Sequence, residues 1–193
     1  MTQKYEILVP STTVGATQMH ILKSKRLNLR QLRLEDAGFM VRLMNSPDWL
    51  TNIGDRNIHS TANAHSYLLE GPLWSYATHG FGLYLVSIAE SNTPIGICGL
   101  LKRDTLNLPD VGIALHPDYF GQGYALEIFK ATVDYAHEKL GYAELYAITS
   151  ENNYKTIKLL EKAGFKLHTE SYITESSESL CLFHHSVVVQ QPV

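Results

Sequence analysis

The sequence predicts one α/β domain built on a mixed sheet, and three observations carry that expectation. Period-2 apolar runs recur from Leu27 to Val188, stripes of helical spacing alternate with them, and no stretch rich in Pro, Gly or Ser divides the chain. With 193 residues the chain suits a single core. Hydrophobic residues at 45% can fill that core, and charged residues at only 18% exclude a long disordered, collagen-like or coiled-coil chain. The folded unit is expected over residues 22–189, with a loosely ordered extension at 1–21 and a short tail at 190–193.

The elements follow in order. Leu27, Leu29 and Leu32 alternate with Asn28, Arg30 and Arg33 as a strand, and Leu34 to Asn45 then sets Ala37, Met40, Val41 and Met44 on one helical face. A polar loop, Ser46 to His59, leads to Ser60, an N-cap for a helix to about Glu70 with Ala64, Tyr67 and Leu68 inward. Phe81 to Ala89 and Ile95 to Leu101 are β-rich runs around a turn from Glu90 to Pro94, so they read as an antiparallel hairpin. Val111 to Leu115 is a further strand. Leu126, Phe129, Thr132, Val133, Ala136 and Leu140 mark an amphipathic helix that Gly141 stops. A strand from Ala143 to Thr149 and a helix from Tyr154 to Ala163, closed by Gly164, precede two strands, Phe165 to Tyr172 and Leu180 to Val188. That makes about 6–7 strands and about 4 helices in a mixed, mostly antiparallel sheet.

Charge and cysteine usage narrow the function classes. A net charge of -3, with no run of Lys or Arg, supplies no footprint for nucleic acid or a membrane surface. The first eighteen residues lack the basic start and apolar stretch of an export signal, and no apolar segment reaches the ~18 residues of a membrane span. A cytoplasmic protein, monomer or homodimer, is expected. Cys98 and Cys181 sit inside apolar runs, which suits buried free thiols better than a disulfide, and the scattered histidines form no metal-type pair, so no metal is expected.

The most informative stretch runs from Pro117 to Ala125, where Gly121 and Gly123 join an apolar strand to an apolar-faced helix. Glycine tolerates the backbone angles of a tight loop, and the uncapped N–H groups at a helix start face whatever lies there, so such a turn invites an anion. A charge-assisted N–H bond to phosphate contributes about 1.5 to 3 kcal/mol, so a few of them anchor a diphosphate without a cation. None of Pro117 to Ala125 is basic. Alone, the two glycines are equally compatible with a simple helix cap. A dinucleotide-binding turn needs a third glycine where Leu126 stands and an acid at the end of the next strand, whereas Glu144 opens it; no P-loop string occurs.

The order Asp110-Val-Gly-Ile-Ala-Leu-His-Pro117, Phe120-Gly-Gln-Gly-Tyr-Ala125, helix, strand, Asn153-Tyr-Lys-Thr156 and Leu-Leu-Glu-Lys-Ala-Gly164-Phe165 resembles the GNAT N-acetyltransferases. Within them it is most similar to the ribosomal-protein N-terminal acetyltransferase branch, whose opening strand and helix are matched by Ser24 to Arg30 and Leu34 to Ala37, so the likeness covers roughly residues 24–185. The resemblance implies acetyl-CoA as donor, a primary amine such as a peptide or protein N-terminus as acceptor, and a sheet that splays between its two central strands. Ile113, Ala114 and Leu115 would then pair with the pantetheine arm, and Phe120, Gly121, Gln122, Gly123, Tyr124 and Ala125 would cradle the diphosphate. Asn153 matches an asparagine that contacts the coenzyme near its reactive end, and Thr156 stands where a Ser commonly opens the helix.

Three positions depart from the pattern. Phe120 replaces a Gln or Arg, so phosphate binding rests on backbone groups. Leu160 stands where many relatives carry a tyrosine that protonates the leaving thiolate. Asp110, where a Glu is common, is shorter and would reach the amine through water.

Acetyl transfer to nitrogen needs a neutral amine, a polarised carbonyl and a path for the proton. Asp110 is the first candidate base, although an aspartate after Pro109 also reads as a turn former. His116 is the second, because an imidazole with a pKa near 6.5 suits base work, although a His before Pro also reads as a packed neighbour of the loop. Asn153 doubles as an N-cap, and the two roles are compatible. Tyr124 and Tyr154 are possible acids, each also readable as packing or surface, and no acid is assigned. Trp49, Asn52, Asp55, Arg56, Trp74 and Tyr76 collect in the region expected to meet the acceptor, where an acidic or peptide acceptor would suit Arg56. The alternative is a catalytically silent acyl-CoA-binding or regulatory module on the same fold.

Overall fold

The computed structural model describes residues 6–7, 20–173 and 179–187. Most of the expected extension, the tail at 190–193, Val188 and the Ser/Glu-rich turn at 174–178 lie outside the described residues.

The chain opens with β1 (Glu6–Ile7), β2 (His20–Lys23) and β3 (Leu27–Gln31). A single 3-10 turn, Leu34–Asp36, then feeds α1 (Ala37–Met44). This turn is pinned by Asp36, whose carboxylate accepts both Arg30 Nη atoms at 2.8 Å and the Arg33 N–H at 2.8 Å. The stretch expected as loop holds α2 (Pro47–Asn52). Ser46, Pro47 and Asp48 carry the reason: an extended residue before the helix, a proline whose missing N–H costs nothing at the first position, and an acid in the first turn.

Ser60 caps α3 (Thr61–Leu68) as expected, its Oγ accepting the Asn63 N–H at 3.1 Å. The helix does not end near Glu70. It widens into a π turn over Leu69–Leu73 and continues as α4 (Trp74–His79). Pro72 inside that turn has no N–H to offer the preceding turn and its ring crowds the carbonyl there, so the helix widens where it sits. Gly80, at φ +77°, ends it by returning its N–H to the Tyr76 carbonyl at 3.1 Å.

The rest follows the expected order: β4 (Leu83–Ile88), β5 (Pro94–Leu101), β6 (Asp110–Leu115), α5 (Tyr124–Glu138), β7 (Glu144–Thr149), α6 (Tyr154–Lys162), β8 (Lys166–Ile173) and β9 (Ser179–Ser186). The sheet runs β1-β2-β3-β4-β5-β6-β7-β9-β8. Neighbours are antiparallel except β6 and β7, which are parallel. Two strands beyond those expected, β1 and β2, extend one edge of the sheet, with Leu22 of β2 fully buried.

Alternation along β4 divides the molecule into layers. Tyr84 and Val86 join Phe129, Ile128 and Val133 of α5 and Leu160 of α6, while Leu85 joins Met40, Leu43, Trp49, Ala64 and Leu68 on the face covered by α1, α2 and α3. Burying each such side chain contributes about 1.5–3 kcal/mol, so both layers are held by substantial apolar area. Cys98 and Cys181 are buried free thiols, and burial pushes Cys98 up to about 12. Close strand packing leaves no room beside Gly99, where a Cβ would stand 2.1 Å from the Gly82 carbonyl oxygen.

Candidate active site

On one side, β6 pairs with β5 along its whole length, from Asp110 opposite Leu101 to Leu115 opposite Gly96. On the other it meets β7 at a single register, Asp110 opposite Tyr146, reinforced by the Tyr146 N–H to the Pro109 carbonyl at 3.0 Å. Past that point the two strands part. The gap is a cleft of about 690 Å³, lined by Ile113, Ala114 and Leu115 from β6, Ala147 to Thr149 from β7, and Asn153, Thr156 and Leu160 from the start and face of α6. This is the splay the resemblance implies, and it places unpaired strand edges beside an open space.

At the far end of β6 a 3-10 turn, Pro117–Tyr119, leads into the glycine turn. Gly121 has φ +74° and Gly123 has φ +78°, angles that a side chain would strain. Gly123 precedes α5 directly and gives the helix no side-chain cap, so the N–H groups of the first turn depend on outside acceptors. Nothing lies within 4 Å of where a Cβ on Gly121 would stand. The Phe120 N–H is already used by the Pro117 carbonyl at 3.0 Å, so the expected cradle of Phe120 to Ala125 offers its free donors from Gly121 onward.

Two cations flank this turn, although none lies within it. Arg26, at the start of β3, donates from Nη1 to the Gln122 carbonyl at 3.0 Å and from Nε to Glu127 at 2.7 Å, and its guanidinium lies 4.5 Å from the Tyr124 ring centroid. Burial pushes the Glu127 carboxyl up, but hydrogen bonds from Ser24 and Arg26 outweigh it and hold the group below its ordinary value. Lys155 lies 4.8 Å above the Phe120 ring and 3.1 Å from Asp48 of α2. Sequence separation hides both: Arg26 stands 96 residues from Gln122, and Lys155 stands 107 from Asp48.

Asp110 lines the cleft at 2% exposure, and Arg103 holds it with two bonds, Nε to Oδ1 at 2.9 Å and Nη2 to Oδ2 at 3.2 Å. Burial pushes its carboxyl up, against the opposing pull of Arg103. Asn153 lines the cleft and caps α6, its Oδ1 accepting the Thr156 N–H at 3.1 Å, and this leaves the Nδ2 donors unused among the described residues.

His116 does not line the cleft; it follows β6, donates its N–H to the Ile95 carbonyl at 2.8 Å and turns its imidazole to Asp118 at 3.4 Å. Tyr154 is 67% exposed, and Tyr124 packs under Arg26, so neither borders the cleft. Leu160, 1% exposed, puts an aliphatic wall where the resemblance implies a phenol.

The side of the cleft expected to meet the acceptor is built from α1, α2, α3 and the chain between them. Trp49, Asn52 and Arg56 line the cleft with Leu43, Met44, Ile53 and Tyr67. Asp55, Trp74 and Tyr76 do not. Tyr76 is structural: it stacks on Tyr84 with centroids 5.3 Å apart, donates to the Leu83 carbonyl and accepts the Leu32 N–H at 3.1 Å. Trp74 is 55% exposed at the start of α4, edge-on to His79. Tyr67, inward on its helix by spacing alone, is the cleft residue whose place needed the fold of α3 over α1.

An α/β sheet that opens between two parallel strands, beside an uncapped helix start, defines a transferase frame that receives an extended, anionic donor. A family model described as Acetyltransferase (GNAT) domain matches residues 26–166. The chain belongs to that family and is an acetyl-CoA-dependent acetyltransferase. It is 24% identical to the uncharacterized N-acetyltransferase p20 of Bacillus licheniformis, over 77% of this chain and 83% of that one. Its fold resembles that of the ribosomal L7/L12 α-N-protein acetyltransferase RimL in complex with coenzyme A, with a TM-score of 0.72, 13% identity, and coverage of 85% of this chain and 96% of that one. It also resembles a spermidine N-acetyltransferase from Vibrio cholerae in complex with CoA and spermine, with a TM-score of 0.69, 18% identity, and coverage of 83% and 95%. Among the described residues no helix is long and apolar enough to cross a membrane.

Proposed function

We propose that the chain transfers the acetyl group of acetyl-CoA to a primary amine, either the α-amino group of a peptide or protein N-terminus or a small amine. The observation that carries this reading is the parting of β6 and β7 after Asp110, in line with a helix start that lacks a cap. Acetyl-CoA supplies an acetyl group already activated as a thioester. The exposed edge of Ile113 to Leu115 suits the amide-bearing arm of the coenzyme, the N–H groups from Gly121 to Ala125 suit its diphosphate, and Thr156 and Asn153 stand where α6 meets the cleft. Asn153 Nδ2 is a donor available near the reacting end.

Asp110 is the candidate base, acting through water because Arg103 occupies both its oxygens. Such a base suits an α-amino group, which at pKa about 7.7 to 8.0 is neutral in roughly a tenth of molecules at pH 7, a deficit near 1 kcal/mol; a lysine at about 10.4 starts about 4.6 kcal/mol behind. Buried Leu160 leaves proton delivery to the departing thiolate to solvent. Two buried free thiols fit a reducing compartment such as the cytoplasm.

A silent coenzyme-binding module is the second reading, favoured by Leu160 and by the Arg103 clamp on Asp110. The test is thiol release from acetyl-CoA against N-terminal peptides, small amines and polyamines. Acceptor-dependent release supports the transferase; tight acetyl-CoA binding without release across the panel supports the module.

A further inference from the structure

Charge pairing along the cleft is uneven. Of its carboxylates, Asp110 is taken by Arg103 at 2.9 Å and Asp48 by Lys155 at 3.1 Å. Arg56 lines the same cleft, is exposed, and has no ion-pair partner among the described residues. Its neighbour Asp55 is turned elsewhere, with Oδ1 accepting the Asn57 N–H at 2.7 Å and Oδ2 lying 3.3 Å from His59. Arg56 stands close enough to Tyr67, also on the cleft, for its charge to oppose the effect of burial on that phenol.

A second observation points the same way. The lining cations Arg56, Lys102 and Arg103 match the lining anions Asp48, Asp104 and Asp110 in number, and Lys155, which pairs with Asp48 from outside the lining, tips the sum positive. Among the described residues Asp104 is the one lining carboxylate without a partner, and it directly follows Lys102 and Arg103 in the chain. A polyamine would bring further positive charge into surroundings with no negative excess to receive it.

We infer that the acceptor amine belongs to a molecule that also carries a carboxylate, which the Arg56 guanidinium takes. Resting on the acetyl-transfer reading, this narrows the acceptor to an amino carboxylate: a free amino acid or a peptide with an acidic residue near its N-terminus. The planar fork of arginine fits a carboxylate with two parallel bonds, which an ammonium group cannot match.

The test uses matched acceptors: a free amino acid against its amide, a peptide with glutamate at its second position against its glutamine twin, and spermidine. The carboxylate member of one pair is expected to exceed its neutral twin at least about tenfold in kcat/KM, and the pair that shows it identifies the source. Arg56→Gln is expected to bring that ratio to within about twofold, mainly through KM. Equal rates within both pairs, a preference for spermidine, or a ratio untouched by Arg56→Gln would overturn the inference. Calorimetry with glutarate and glutaramide on the coenzyme complex reads the same contact without chemistry. Glutarate binding lost in Arg56→Gln supports it, and equal binding in both proteins overturns it. If no amine releases thiol but glutarate still binds through Arg56, acetyl transfer fails and the carboxylate site stands.

Discussion

Gly123, at φ +78°, stands in the turn expected to hold the diphosphate, and among the described residues only Arg26 Nη2, at 3.5 Å, lies within 4 Å of where a Cβ would stand. Gly123→Val puts a branched side chain at an angle it strains to adopt and into the space a ligand needs. Coenzyme binding by calorimetry should weaken more than about tenfold while circular dichroism stays unchanged, because the turn is at the surface. Asn153 allows a cleaner separation of roles. Asn153→Asp keeps an oxygen to cap α6 and loses the Nδ2 donor, so stability should hold within about 0.5 kcal/mol while KM for acetyl-CoA rises; Asn153→Ala should lose both, with about 1 kcal/mol of stability. Melting curves beside steady-state kinetics check the pair, and an unchanged KM in Asn153→Asp would leave the residue as a cap alone. These two positions were legible because their signals are local: glycine before a helix, asparagine three residues before the amide it caps. Arg103 on Asp110 carried a weaker signal, since hairpin register sets Leu101 opposite Asp110 and so brings the following arginine near.

Elements with a strong period appeared where spacing put them, as α5 and the β4–β5 hairpin show. Those lost were short or interrupted. For α2 the start signal at Ser46 to Asp48 is present but the helix is only six residues long, too short for a stripe. The passage from α3 to α4 runs through Pro72, which ordinarily ends a helix and here only widens it. At the junction of α5 and β9 the structure predicts a pH response. His137 Nδ1 donates to the Tyr142 carbonyl, so the Nε2 of a neutral His137 accepts from His185 Nδ1 at 3.1 Å. Burial, with His137 and His184 nearby, pulls His185 below its ordinary 6.5. The unfolded chain therefore takes up this proton first as pH falls, so His185 lowers stability progressively from about pH 6.5 down to its folded value and adds no further loss below it. Tm measured across that range should fall, and His185→Phe, which keeps the ring beside Phe165, should flatten the fall; an unaltered slope would remove His185 as its source.

Among the described residues the molecule is two apolar layers on one sheet whose pairing is reduced to a single register between β6 and β7. Single-domain organisation, the mixed sheet and the glycine turn were legible because each rests on local pattern. Most of the cleft's electrostatics were not, because Arg26 and Lys155 meet their partners only once the sheet, α2 and α6 are assembled. Lys155 of α6 pairs with Asp48 of α2, so two helices that border the cleft are joined by an ion pair. The central claim is that main-chain N–H groups after Phe120 and the open edge of β6 hold the coenzyme. Amide hydrogen exchange read residue by residue, with and without coenzyme A, tests it most directly. Protection gained at 113–115 and 121–125 and abolished at the turn in Gly123→Val is the predicted result. Protection confined to other segments, with these amides exchanging unchanged, would contradict it.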